Sequence, residues 1–125
     1  MAAILVTDDD AELRHIIRTA LEAAGHSVTE ASDGTDALRQ LETTRADVLI
    51  TDMHMPEMDG LALARALRKR PDAPALIGMS GNDYAETLEM ATRLGARATL
   101  HKPFTSSQLL HAVGKALPAP DPGPS

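Results

Sequence analysis

The chain has 125 residues, enough for one domain with a single core. Charged residues make up 24% and hydrophobic ones 43%, and the net charge of -6 comes with no basic patch of the kind a duplex nucleic-acid binder needs, so direct nucleic-acid binding is not expected. The absence of cysteine excludes disulfides, thiolate catalysis and cysteine-ligated zinc, and fits a cytoplasmic location.

The opening, MAAILVTDDD, is too short and too acidic for a signal peptide. Within it, Ala2 to Thr7 is an apolar run that reads as a buried strand and ends in three aspartates. Leu13, Ile16, Ile17, Ala20, Leu21 and Ala24 follow at helical spacing as one apolar face, and Gly25 is a C-terminal stop. His26 to Ala31 is a weaker strand carried by Val28, and Ser32-Asp33-Gly34 reads as a turn. Ala37, Leu38 and Leu41 make a short helical face. Val48, Leu49 and Ile50 lead without alternation into Thr51 and Asp52, as expected of a strand covered on both sides. Leu61, Ala64 and Leu67 mark a third helix, closed by Arg68-Lys69-Arg70 and Pro71. Ala75 to Met79 is a fourth strand ending at Ser80-Gly81. Tyr84 or Ala85 opens a fourth helix through Leu88, Ala91 and Leu94, with Gly95 after it. Ala98 to His101 is a fifth strand ending at Lys102-Pro103, and Leu109, Leu110, Val113 and Leu117 give a fifth helix. The last stretch, 118–125, holds four prolines in eight residues and reads as a disordered tail or the start of a linker. No apolar run approaches the roughly 20 residues that span a bilayer.

Five strands alternating with five helices predict an α/β fold, a parallel sheet covered on both faces. Right-handed crossovers leave few topologies for such a chain. The strands of such a sheet end along one edge, and that edge is where open α/β sheets keep their ligands. Asp8-Asp9-Asp10, Asp52, Ser80 and Lys102 each stand at the end of a different strand, so four distant segments converge on one cleft.

Carboxylates held together there need a cation or must take up protons. A hard, oxygen-preferring ion meets that need, with Mg²⁺ the first choice because it accepts carboxylates, water and phosphate oxygens. A hydroxyl at Ser80 and an ammonium at Lys102, opposite a metal-bound carboxylate, make a place for a phosphoryl group. A carboxylate can itself attack phosphorus and become an aspartyl phosphate. Asp9 and Glu12 also fit a helix capping box, and of the three aspartates Asp10 is our first choice for a simple cap. Met53, Met55 and Met58 read as packing around the loop rather than as ligands.

Together, ILVTDDD, DVLITDMHMPEMDG, MSG and HKPF, in this order, resemble the receiver domain of bacterial two-component response regulators, of the single-domain chemotaxis-regulator type. The resemblance runs over nearly all of residues 1–117 and implies a flavodoxin-like (βα)5 sheet in the order 2-1-3-4-5. It implies that Asp52 is the phosphoacceptor, that Asp9 binds Mg²⁺ (with Mn²⁺ an acceptable replacement) directly and Asp8 largely through water, and that Asp52 and the backbone carbonyl of His54 complete the protein ligands. It also implies that Ser80 and Lys102 bind the phosphoryl oxygens and that the Lys102-Pro103 peptide is cis. The implied donor is a phosphohistidine on a sensor histidine kinase or phosphotransfer protein, and the implied output is a partner or an attached domain, with homodimerisation left open. Such a domain is a phosphorelay switch, not a turnover enzyme.

One position departs from the family's pattern. Thr99 stands where an aromatic switch residue is usual, so the family's aromatic account of switching does not carry over. Two other readings compete with this one. A phosphohydrolase of the haloacid-dehalogenase type usually carries a second Asp two residues after its nucleophile, and here that position is His54. A phosphorylation-independent receiver would have lost an acid or the lysine, and none is lost here.

Overall fold

The computed structural model describes residues 2–54, 60–81 and 85–117. Five strands, β1 (Ala3–Thr7), β2 (Ser27–Ala31), β3 (Val48–Asp52), β4 (Ala75–Gly81) and β5 (Ala98–Lys102), alternate with α1 (Ala11–Ala23), α2 (Gly34–Thr43), α3 (Gly60–Arg68), α4 (Ala85–Arg93) and α5 (Ser106–Ala116). The sheet is parallel throughout, in the order β2-β1-β3-β4-β5. This is the doubly wound, flavodoxin-like topology expected from the sequence. The Pro-rich segment 118–125, the loop residues Met55 and Met58, and Tyr84 lie outside the described residues.

Strand alternation divides the core. Ile4, Val6, Val48, Ile50, Ile77 and Met79 point to the side covered by α1 and α5, where they meet Ile17, Leu21, Leu109 and Val113. Leu5, Leu49 and Leu76 point to the other side, against Ala37 of α2 and Leu63, Ala64 and Leu67 of α3. All five residues of β3 are buried, which is why its sequence shows no polar alternation. Burying each Leu, Ile or Val side chain contributes roughly 1.5–3 kcal/mol.

The helix ends follow local chemistry. The Asp10 side chain accepts from the Glu12 and Leu13 amides and caps α1, so the cap belongs to Asp10 and not to Asp9. Asp33 caps α2 by accepting from the Asp36 amide, so Gly34, expected in a turn, is already helical. Gly25, with φ 96, and Gly95, with φ 102, end the turns after α1 and α4 in the left-handed region. Two large apolar residues assigned to buried faces are exposed, as is Ala24 at the end of the first helix. Ile16 is 57% exposed and Leu110 is 37% exposed. At 3.6 residues per turn, Ile16 lies about 120° round α1 from the midpoint of Ile17 and Leu21, outside the stripe that meets the sheet. On α5 the small residues Ala112 and Ala116 are buried instead.

Gly78 is a close approach. A Cβ there would stand 3.1 Å from Met53 Sδ and 3.2 Å from Ala91 Cβ, so its absence lets α4 lie on β4 over the buried Met53. Gly78→Val is expected to cost about 1–3 kcal/mol through overpacking. The check is a urea unfolding midpoint below wild type with an unchanged slope.

Candidate functional site

The site lies where the chain order reverses, at the carboxyl ends of β1 and β3. The rows that build one core face continue past it. Asp8 follows Ile4 and Val6, Asp52 follows Val48 and Ile50, and Lys102 follows Ala98 and Leu100. The same alternation that buries the aliphatic residues therefore aims two carboxylates and an ammonium into one place. Lys102 is paired in register with Gly81, which has no side chain to stand in its path.

Lys102 Nζ donates to Asp8 Oδ2 at 2.8 Å and to Asp52 Oδ2 at 3.1 Å. Asp8 is fully buried and Asp52 is 7% exposed. The other carboxylate oxygens are also held, Asp8 Oδ1 by the Asp10 amide and Asp52 Oδ1 by the His54 amide, both at 2.9 Å. Burial works against the Lys102 ammonium, but its hydrogen bond to Asp8 and the charges of Asp8 and Asp52 outweigh that and raise its pKa above the ordinary lysine value.

Asp8, Asp9 and Asp52 each place a carboxylate oxygen within 4.8 Å of the others. Two such groups about 4 Å apart repel by roughly 4 kcal/mol at an effective dielectric of 20, and Lys102 is one cation among three acids. Oxygen donors, an exposed Asp9 open to water and the absence of cysteine fit a hard divalent ion of the Mg²⁺ type.

The Ser80 hydroxyl is buried and has no hydrogen-bond partner among the described residues. Ser80 lies next to Met79, the register partner of Asp52, so it reaches the same edge but alternates to the opposite face. It is not joined to the Asp8–Lys102–Asp52 cluster by a hydrogen bond. Thr7 Oγ1, at the end of β1, is likewise buried without a partner. The Lys102-Pro103 peptide is cis. Thr99 is exposed on β5.

One residue that the sequence did not single out, Arg14, touches the acid turn, and a second, Glu30, braces it. Arg14 donates to the Asp8 carbonyl at 2.6 Å and pairs with Glu30 at 3.1 Å. An arginine beside a helical apolar stripe reads as solvated, and only the fold brings β2 against it.

The fold and this cluster define a doubly wound α/β module with an acidic site at its sheet edge, and similarity to known proteins places it in a family. The model of the response regulator receiver domain matches residues 4–114, so the chain belongs to the response regulator receiver domain family. It is 34% identical over 125 residues to the DNA-binding transcriptional regulator NtrC of Rhizobium meliloti (strain 1021), covering 99% of this chain and 26% of that protein. It is 35% identical over 123 residues to the response regulator MprA of Mycobacterium sp. (strain KMS), covering 97% of this chain and 54% of MprA. The chain thus spans about a quarter of the one relative and about half of the other. Among solved structures, a response regulator receiver domain protein from Clostridium thermocellum superposes with a TM-score of 0.85 at 35% identity, covering 93% of this chain and 94% of that one. The chemotaxis protein CheY4 of Vibrio cholerae superposes with a TM-score of 0.87 at 30% identity, covering 94% and 99%. The chain is therefore a receiver domain of two-component response regulators, and the match gives no support to the phosphohydrolase reading.

Proposed function

We propose that residues 1–117 take a phosphoryl group from a phosphohistidine onto Asp52, with Mg²⁺ bound, and that the modified surface then engages an output partner or an attached domain. The observation that carries this is the bridge of Lys102 between Asp8 and Asp52 beside Asp9, an arrangement that holds an anionic nucleophile close to a cation and a metal-sized cluster of oxygens. An Asp52 carboxylate oxygen attacks phosphorus. The new O–P bond forms as the P–N bond to the donor imidazole breaks, and that nitrogen keeps the electron pair. Lys102 is placed to neutralise the phosphoryl oxygens, and the unpartnered Ser80 hydroxyl is free to turn and donate to one. Asp8, Asp9, Asp52 and the His54 carbonyl would hold Mg²⁺, which supplies charge neutralisation of the transferring group when bound. Hydrolysis of the aspartyl phosphate resets the switch, so the domain acts as an acceptor and not as a turnover enzyme. The acylphosphate adds charge beside Lys102 and biases a two-state element. With Thr99 in place of an aromatic, we assign that element to the Ser80 end of β4 and to α4 packed on Gly78.

The test is intact-mass analysis after incubation with a phosphorylated histidine kinase, or with acetyl phosphate, in Mg²⁺. The expected product carries one phosphoryl group, located at Asp52 by peptide mapping. Modification elsewhere, or none at saturating metal, counts against the assignment. A second expectation concerns the metal alone. Because Mg²⁺ relieves repulsion that only the folded chain suffers, Mg²⁺ at 100 times its Kd is expected to add about 2.7 kcal/mol of stability, and chelation by excess EDTA to remove it. Thermal melts with and without the ion check this.

A further inference from the structure

Arg14 lies one turn into α1, yet its side chain runs back to the segment that carries the acid pair. One terminal guanidinium nitrogen donates to the Asp8 carbonyl at 2.6 Å, while Nε lies 3.1 Å from Glu30 Oε1 on β2. Glu30 is itself held. Its second oxygen accepts from Arg18 at 3.3 Å, and its backbone carbonyl accepts from Gln40 Nε2 at 2.8 Å. The Arg14 side chain is 16% exposed, whereas that of Arg18 is 42% exposed and is shared with Glu22. Arg14 is thus the desolvated, fixed member of this chain of charges, and Arg18 the solvated one.

Among the three acids, Asp9 is the one whose side chain is loosely held. Asp8 and Asp52 each engage an amide and Lys102. The Asp9 carboxylate is exposed and has no hydrogen-bond partner among the described residues. Repulsion from two neighbouring carboxylates pushes it outward, and what resists is its backbone. That backbone is pinned on one side by the Asp8 amide bonded to the Ala31 carbonyl at 3.2 Å, and on the other by Asp10 capping α1. Between them stands the peptide joining Asp8 to Asp9, and its carbonyl is the atom that Arg14 grips.

We propose that Arg14, buttressed by Glu30, is a positioning residue for the metal-binding acids: it fixes the Asp8–Asp9 peptide so that the Asp9 carboxylate stays facing Asp52 before the ion arrives. The inference rests on the metal-dependent phosphoacceptor reading. Arg14 touches neither the phosphoryl group nor the ion. It acts through the orientation of a ligand, as groups behind metal ligands commonly do.

The experiment is calorimetric titration of Mg²⁺ into the full chain, paired with amide hydrogen exchange of the metal-free protein. Arg14→Ala is expected to weaken Mg²⁺ binding about tenfold or more, within the ~10–100-fold range for loss of a group behind a ligand. Arg14→Lys, a point charge that can serve one of the two acceptors but not both, is expected to fall between. Arg18→Ala, which also strips a cation from Glu30 but leaves the Asp8 carbonyl gripped, is expected to stay within about twofold of wild type. The Asp9 and Asp10 amides of Arg14→Ala should exchange faster while the β3 amides keep their protection, which a general loss of stability would not produce. Wild-type affinity in Arg14→Ala, or an equal loss in Arg18→Ala, overturns the proposal. If Arg14→Ala does not fold, Arg14→Lys decides the question alone, and wild-type affinity in that variant overturns it. If wild type itself takes no Mg²⁺, the phosphoacceptor reading fails first and takes this proposal with it.

Discussion

Asp52→Ala is expected to abolish phosphoryl uptake, by more than about a hundredfold, while leaving the fold intact. The substitution removes the attacking oxygen and one of three clustered carboxylates. Lys102 keeps its 2.8 Å bond to Asp8, so no buried charge is left alone. Relief of repulsion should make the metal-free variant at least as stable as wild type. The two readouts therefore move apart, with activity lost and the melting temperature held or raised. A variant that loses uptake by unfolding would not separate the roles, and one that keeps uptake would move the acceptor to another residue.

Lys102→Ala is expected to produce the opposite pattern in stability. The bridge is gone, and Asp8 and Asp52 are left buried and facing each other. The metal-free fold should lose about 1–3 kcal/mol, and Mg²⁺ should restore much of it by replacing the missing charge. Phosphoryl uptake should still fall, because the ion cannot take the place of an ammonium on the phosphoryl oxygens. The sign with pH follows from the raised pKa of Lys102. Its contribution to the metal-free fold is fully present below the ordinary lysine pKa of about 10.4 and is lost as pH rises through the higher folded value. Wild type should thus lose stability at strongly alkaline pH to a degree that Lys102→Ala does not. Unfolding midpoints with and without Mg²⁺, across that range, check both statements.

What could be read from the sequence was what periodicity encodes. The unbroken run of β3 and the apolar ends of β1, β4 and β5 gave the sheet and its edge, because a strand buried on both faces tolerates no polar alternation. The convergence of Asp8, Asp9, Asp52 and Lys102 followed, since parallel strands share an edge. Of the three adjacent aspartates Asp10 was the first choice for the cap of α1, and the amides of Glu12 and Leu13 do donate to it, which leaves no cap role for Asp9. The exposed Ile16 and Leu110 were out of reach for a different reason. The width of a helix's buried stripe depends on how it is tilted onto the sheet, and composition carries no record of that tilt. Arg14 and Glu30 are 16 residues apart, on a helix and the strand after it, and no local spacing signals their pairing. The Ser80 hydroxyl was expected at the site, and the register does bring it to the edge. Its alternation to the other face, without a partner, is a property of the pleat that only the register reveals.

If four strand ends form one phosphoryl site, they must respond to a phosphoryl analogue as a unit. The most direct measurement is an NMR titration of the ¹⁵N-labelled chain with beryllofluoride in saturating Mg²⁺. A single saturable transition is expected, in which the amides around Asp8–Asp9, Asp52–His54, Ser80–Gly81 and Lys102 shift together, and Asp52→Ala should show none of it. Shifts confined to one of these segments, or a full response in Asp52→Ala, would contradict it.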